Sequence, residues 1–480
     1  MKVIKECSSE ICPFLVFIVN KCFREGSFPQ QLQIAKIIPI FKKGDKFKHE
    51  NYRPISILPA FSKIIEKVFA IRLTDFFTKF SLFSETQYGF RPNYSTEMAI
   101  HNLCQSIYDV LDRKCKQITV FCDFSKAFDT ISHDILLSKL NTYGIRGKAN
   151  DFVKSYLSSR QQYTVYNNFS SAYKQISYGV PQGSILGPIL FFIYINDLAL
   201  TTNKIKFLLY ADDTTVYIQG GNIIEMTNVL NNELIKISDW LNSNKLTLNL
   251  SKTFYMVSSR VKIDEAMINV KIRNISLSKV DHISFLGVVI DDKLTWKPHL
   301  QHLLNKVSRI TGILYKIRNN LTIECLKLFY LSIVYPHFIY CSAIWGGAFK
   351  TLLEGLFLAQ KKIIRVMYFK NKYDHTNPLF FENNLLKIPD IITFQTCIFV
   401  FKSLYVHPNN TTYQLLSHNA NTRRPLDLRH PFCRTIHAQN SVNVRGVREW
   451  NSLPQHIKSL TSANLFKNKL KHSLLQRYGQ

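Results

Sequence analysis

The chain has 480 residues, 46% of them hydrophobic, and a formal charge of +28. This length and apolar content suit several packed subdomains and exclude disorder as the global state. The charge calls for a polyanionic partner, either nucleic acid or an acidic membrane. The longest apolar run, Ile185–Ile195, contains Gly187 and Pro188 and is shorter than the about 20 residues a bilayer requires, so nucleic acid is the preferred partner and no membrane is expected.

In chain order, Lys36–Phe41 reads as a strand that Pro39 demotes to a sheet edge, leading into the basic turn Lys42–Lys46. Ser62–Phe77 predicts a helix, with Ile64, Ile65, Val68, Phe69 and Leu73 as its apolar positions. Ile118–Asp123 reads as a buried strand, followed by a helix near His133–Tyr143. Gly179–Ser184 is a turn that feeds an apolar helix from Ile185 to Leu200. Two apolar runs, Lys206–Leu209 and Thr215–Ile218, then predict a hairpin with Asp212 and Asp213 in its tight turn. Ile223–Asn242 is helical by its period, and Phe254–Val257 and Ser284–Ile290 are further strands. Beyond Pro298 the pattern turns helical, at His299–Arg318, Ile323–Val334 and Leu352–Tyr368. No internal repeat is present, and the order suggests three or four subdomains around one catalytic sheet.

An acid pair in a turn between apolar strands is a poor structural choice, but it presents oxygens well to a hard cation. A third acid, Asp123, ends an apolar run 89 residues before Asp212. If the two segments are neighbours in one sheet, three carboxylates converge at one end of it, which is the ligand set of a two-metal phosphoryl-transfer site. The alternative is a solvated acidic turn.

From Lys350 to Gln480 there are 19 Lys/Arg and 6 Asp/Glu, so the last 131 residues are denser in positive charge than the rest. That suits a nucleic-acid contact, or a solvated basic surface. The 10 cysteines are irregularly spaced, most in apolar contexts, and read as reduced core residues of an intracellular protein. His430, Cys433 and His437 have only loose zinc-ligand spacing. Ile11–Val19 is short and interrupted by Pro13, so no signal peptide or other targeting signal is evident. The expected location is the nucleus, the cytoplasm or both.

Eight ordered segments resemble the reverse transcriptase of non-LTR (LINE-like) retrotransposons of the jockey, CR1 and RTE type. They are Ile38–Asp45, Asn51–Ser56, Gln87–Arg91, Asp123–Asp129, Gly179–Pro188, Tyr210–Asp213, Leu248–Thr253 and Phe285–Gly287. Trp345-Gly346 and Arg448–Pro454 are similar to the family's C-terminal segment. The resemblance implies an α+β right-hand polymerase: fingers at 1–115, a palm with an antiparallel sheet at 116–292 carrying a fingers insertion at about 144–176, a helical thumb at 293–370 and a basic C-terminal region at 371–480. It implies RNA-directed DNA synthesis on an RNA template from a DNA primer, with dNTPs and two Mg²⁺ ions, for which Mn²⁺ can substitute.

The resemblance makes Asp123, Asp212 and Asp213 the metal ligands and catalytic acids. Phe128 becomes the steric gate against a 2′-hydroxyl, and Gln182 and Gly183 become nucleotide contacts. Arg53 and Lys43 bind the triphosphate, and Lys252 protonates the departing pyrophosphate or is a surface lysine. Asp129 reads as structural more than catalytic. The family's usual upstream endonuclease and the segment preceding the equivalent of Glu10–Phe28 are not in these residues, and no RNase H acid set follows Lys350. The expectation is a truncated copy or a fragment with its chemistry intact, the alternative an inactive remnant that only binds nucleic acid. A group II intron maturase shares the polymerase motifs but not the Trp450–Pro454 segment.

Overall fold

The computed structural model describes residues 6–406 and 426–478. The strands that matter here are β1 (Ile34–Phe41), β2 (Tyr52–Ile57), β3 (Lys116–Cys122), β4 (Gln161–Tyr166), β5 (Lys206–Tyr210), β6 (Asp213–Gly220), β7 (Phe254–Ser259), β8 (His282–Phe285) and β9 (Val288–Asp291). The principal helices are α1 (Ser8–Glu25), α2 (Ala60–Lys79), α3 (Thr96–Asp112), α4 (Leu186–Ile195), α5 (Ile223–Ser243), α6 (Lys297–Ile317), α7 (Lys350–Met367), α8 (Ile388–Phe401), α9 (Val442–Asn451) and α10 (Ala463–Gln476).

The central sheet runs β7–β3–β6–β5, antiparallel throughout, with Ser278–Lys279 added beside β7 in parallel. β3 lies in the middle and is covered on both faces. Ile118, Val120 and Cys122 enter one apolar core with α4 and α5, while Phe121 enters another with α3. Period-two alternation sends successive side chains to opposite cores. The polar members of the α3 face satisfy one another: Gln117 donates to the Thr119 hydroxyl (3.0 Å), and Gln219 donates to Gln117 (2.8 Å) and to the Ser106 carbonyl (3.1 Å). Burial without those bonds would cost a few kcal/mol per group.

A second sheet is built from β2, β1 and β4. β1 pairs with β2 antiparallel, from Lys36↔Ile57 to Phe41↔Tyr52, and with β4 in parallel, from Ile34↔Gln161 to Ile37↔Thr164. The strand at Lys36–Phe41 is therefore not an edge. The β4 pairing ends two residues before Pro39, so the missing N–H of proline interrupts no bond on that side. The expected strand Ser284–Ile290 is two strands, because Leu286 (φ 47°) and Gly287 (φ 83°) form a turn between β8 and β9. The apolar helix from Ile185 stops at Ile195, short of Leu200, and the expected helix Ile323–Val334 becomes a π-turn at Tyr330–Val334. All ten cysteines are free, but only Cys22, Cys104, Cys122, Cys341 and Cys397 are buried.

The C-terminal residues are not a tail. Helices α8, α9 and α10 share one apolar core with α3, with Phe121, Leu208 and Met256 of the central sheet and with α6 and α7. Three fully buried tryptophans anchor this body, and each indole N–H finds an acceptor. Trp296 donates to the Tyr108 hydroxyl (3.2 Å), Trp345 to the Tyr340 carbonyl (2.8 Å) and Trp450 to the Leu426 carbonyl (3.0 Å). Asp112, at the end of α3, accepts the backbone N–H groups of Arg434 (2.9 Å) and Thr435 (2.8 Å). Lys458, almost fully buried, meets Asp427 at 2.6 Å. Among the described residues no helix is long and apolar enough to cross a membrane.

Truncating Trp450 to alanine should cost about 3–5 kcal/mol, the range for large aromatic side chains in a packed core. Urea unfolding followed by circular dichroism should give one shifted transition for the whole chain. An unchanged midpoint would mean that α9 folds apart from the central sheet.

Candidate active site

The central sheet brings the three sequence-predicted acids to one end. β5 and β6 form a hairpin in which Tyr210 pairs with Asp213, leaving Ala211 and Asp212 as a two-residue turn. On the other side, β6 pairs with β3 as far as Cys122↔Thr214, so continuing the register by one residue sets Asp123 across from Asp213. Asp123, Asp212 and Asp213 all line one cavity of roughly 1900 Å³.

Local geometry holds that turn under strain. Ala211 has φ 55°, a left-handed conformation that a side-chain-bearing residue adopts at a cost. Gly89 supports it from beneath: a Cβ at Gly89 would stand 2.3 Å from the Ala211 nitrogen, so only glycine fits. Gly89 is held there because Tyr88 N–H donates to the Leu209 carbonyl (2.8 Å) and Leu209 N–H to the Thr86 carbonyl (2.9 Å). This gives the Gln87–Arg91 segment its role: it is a strut under the acid turn.

The opposite wall is cationic. Lys42, Lys46, Lys48 and Arg53, from β2 and the loop before it, line the same cavity. Lys43 is not among the lining residues; its neighbour Lys42 is, after its N–H has bonded the Asn51 carbonyl (2.8 Å). Lys252 reaches in from the Leu248–Thr253 segment, its ammonium 4.0 Å from Asp123. That segment is fastened to the acid strand, since Asn249 N–H donates to the Asp123 carbonyl (2.8 Å).

Phe128 lines the cavity with its ring against Phe191 of α4, centroids 4.6 Å apart. Gln182 lines it too, with its amide bonded to Asp129 (2.8 Å). Gly183 is not a lining residue. It has φ +124°, and a Cβ there would stand 2.5 Å from the Ser56 carbonyl oxygen, so the glycine serves a close crossing of two backbones. Ser56 N–H donates to the Gln182 carbonyl (2.7 Å), which ties β2 to this loop.

One residue that sequence reasoning missed is Glu66 of α2. It is fully buried and accepts the Ser62 hydroxyl (2.7 Å) and the N–H groups of Ile185 (2.7 Å) and Leu186 (3.2 Å) at the start of α4. A carboxylate at a helix N-terminus is favoured by the exposed amides and the helix dipole. The signal was an acid inside an apolar helix, and its purpose depends on residues 119 positions away.

The charge of the acid end is only partly compensated, by Lys252 beside Asp123 and by Arg53 and Lys42 near Asp212. Desolvation pushes the Asp213 carboxyl up to about 6, helped by the charges of Asp212 and Asp123. Asp212 is raised as well, by desolvation first and then by Asp123, against the opposing pull of Arg53 and Lys42. Both residues are exposed and line the cavity. Among the described residues no group of three or more Asp, Glu, His or Cys side chains could hold a metal ion by itself. His430, Cys433 and His437 accordingly form no zinc site. The donor chemistry at the acid end still suits Mg²⁺: hard oxygens and excess negative charge, for an ion that keeps waters and takes substrate phosphate oxygens instead of a full protein cage.

Residues 40–290 match the family described as reverse transcriptase (RNA-dependent DNA polymerase), just over half of the chain. The chain is 28% identical over 372 residues to a probable RNA-directed DNA polymerase from transposon BS of Drosophila melanogaster, covering 74% of this chain and 40% of that protein. It is 28% identical over 436 residues to the RNA-directed DNA polymerase from mobile element jockey of Drosophila funebris, covering 87% of this chain and 47% of that one. Among solved structures, apo telomerase from Candida Tropicalis aligns over 54% of each chain at 12% identity with a TM-score of 0.37. The chain belongs to the reverse transcriptase family, and within it to the LINE-like, non-LTR retrotransposon type. It spans less than half the length of these two curated relatives.

The raised Asp213 sets a pH dependence for the metal-free protein. Its folded value, about 6, exceeds the ordinary 3.8. Between those values the folded state binds more protons than the unfolded, so this contribution makes stability fall as pH rises through the window. Asp213→Asn removes it. In EDTA the variant should melt higher than the parent at pH 7 and converge with it below about pH 4. Scanning calorimetry checks this, and a variant that melts no higher at pH 7 contradicts the electrostatic account.

Proposed function

We propose that the chain is the RNA-directed DNA polymerase of a non-LTR retrotransposon, extending a primer 3′-hydroxyl with dNTPs on an RNA template. One observation carries the reading: three acids at adjacent strand ends face a cationic wall across a single cavity. The names of the relatives agree with it. In this reading 1–115 are fingers, 116–292 palm with the insertion at about 144–176, and 293–370 thumb. Residues 371–480, with the described part built into the thumb's core, brace that thumb.

Asp123, Asp212 and Asp213 would hold two Mg²⁺ ions, which when bound activate the primer hydroxyl and neutralise charge on the leaving pyrophosphate. Arg53 and Lys42 stand across the cavity, where a triphosphate would lie between them and the acids. Arginine suits that place because its fork binds phosphate oxygens in pairs. Lys252, beside Asp123, is placed to hold or donate a proton near the reacting phosphate. Phe128, backed by Phe191, offers a rigid ring beneath the incoming sugar. A ring held from behind cannot yield to an extra 2′-hydroxyl, so it discriminates by exclusion.

Metal-dependent extension of oligo(dT) on poly(rA) tests the activity. An Asp123→Asn variant should lose it by at least about 10³-fold, while a parent chain that binds the duplex without extending it would support the inactive remnant instead. Phe128→Val should admit rNTPs with dNTP use mostly intact. The ratio of the two efficiencies should change by about 10–100-fold, or ~1.4–2.8 kcal/mol of discrimination. Equal loss of both substrates would assign Phe128 to packing.

A further inference from the structure

A cavity that takes a triphosphate has a reason to carry cations, and Lys42, Lys46, Lys48, Arg53, Lys126 and Lys252 line this one. Its wall nevertheless carries two acids outside the triad, Glu50 among the lysines and Asp129 beside Phe128. A carboxylate there repels phosphate, so its presence calls for a compensating contact. The contact is with Gln182: the amide nitrogen lies 2.8 Å from Asp129 Oδ1, across 53 residues of sequence.

The two segments are already stitched together along their backbones. Val180 N–H donates to the Phe128 carbonyl (2.9 Å) and Gly179 N–H to the Ile131 carbonyl (2.8 Å). Gly179 has φ +79°, and a Cβ on it would stand 2.7 Å from the Asp129 carbonyl oxygen. The position of the Gln182 backbone is therefore fixed without the Asp129 side chain. What the backbone does not fix is which end of the Gln182 amide faces the cavity.

An ionised carboxylate only accepts hydrogen bonds. Beside Asp129 the amide must turn its NH₂ toward the acid, which leaves its carbonyl oxygen for the cavity. We infer that Asp129 is a positioning residue: it sets the polarity of Gln182, so that an acceptor meets the incoming nucleotide next to the Phe128 ring. This rests on the polymerase reading above. It adds that nucleotide affinity depends on an acid that touches neither the metal ligands nor the phosphates.

A charge-conserving swap tests it. Asp129→Asn frees the amide to flip. Gln182→Glu sets two carboxylates face to face. The double variant, Asp129→Asn with Gln182→Glu, restores a hydrogen bond with donor and acceptor exchanged, the introduced amide donating to the introduced carboxylate. It still turns an acceptor oxygen toward the cavity. Two measurements are made on the full chain with poly(rA)/oligo(dT): KM and kcat for dTTP, and the Kd of dTTP with a dideoxy-terminated primer.

Asp129→Asn should raise KM and Kd about 10-fold with kcat within about 3-fold of the parent. Gln182→Glu should be worse, and the double variant should return to within about 3-fold of the parent. An active parent with a silent Asp129→Asn, or a double variant no better than Gln182→Glu alone, overturns the inference and leaves the polymerase reading standing. A parent that neither extends the primer nor binds dTTP overturns both.

Discussion

Like charges placed side by side repel, and three carboxylates at the ends of adjacent strands stay together only because the scaffold holds them. The hairpin fixes Asp212 and Asp213, and the β3–β6 register fixes Asp123 opposite. β3 cannot drift, because its two faces are embedded in two different cores. Gly89 blocks the turn from relaxing downward. The free energy that gathers the acids therefore comes from apolar burial at a distance, and its cost shows in the Asp213 carboxyl, raised by desolvation first and by the charges of Asp212 and Asp123 second. In the polymerase reading, a divalent cation arriving with a substrate phosphate would offset the repulsion among the acids, and the cluster would then serve binding as well as cost folding.

Two polar contacts tie the remaining wall to this frame close to the site. Ser56 is bonded to Gln182, and Glu66 caps the start of α4. Each joins the β1–β2 side of the molecule to the Gly179–Leu186 segment. That segment is also stitched to Phe128 and Asp129. A displacement of β2 is thus passed to the Phe128–Asp129 side of the cavity through this loop. Residues with no contact to any substrate, Glu66 above all, can in this way influence how a nucleotide sits.

Local chemistry was legible in the sequence, and long-range pairing was not. The Asp212–Asp213 hairpin could be read because apolar runs of strand length flank a turn. The α2 and α5 helices could be read from their 3.6-residue period, and their observed bounds extend the expected ones by only a few residues. The parallel pairing of β1 with β4 could not be read, since it joins segments more than 100 residues apart and neither carries a mark of the other. A basic turn does not reveal which of its lysines faces inward, so the resemblance points to Lys43 where the structure lines the cavity with Lys42. The charge of the C-terminal region is only partly informative. Net charge counts every cation alike, yet Arg445 donates to the Ala343 carbonyl and the Thr396 hydroxyl inside the core, and Lys458 is buried against Asp427. Such residues add to +28 without being available to a polyanion.

The distribution of buried apolar surface makes the two walls of the cavity mechanically unequal. The acids belong to a sheet sealed by both large cores, and the turn at Trp296 ties that sheet's surroundings to α6. There Asp291 accepts the N–H groups of Thr295 (2.7 Å) and Trp296 (2.8 Å), and the buried indole bonds Tyr108 of α3. Lys42, Lys46, Lys48 and Arg53 belong to β2 and the loop before it, whose sheet has, among the described residues, a small core of its own at Ala35, Ile37 and Leu58. Regions with little buried apolar contact open at lower free energy than the core they adjoin. The cationic wall is consequently the one that deforms more easily. A triphosphate bridging the walls would meet acids of fixed geometry on one side and adjustable cations on the other.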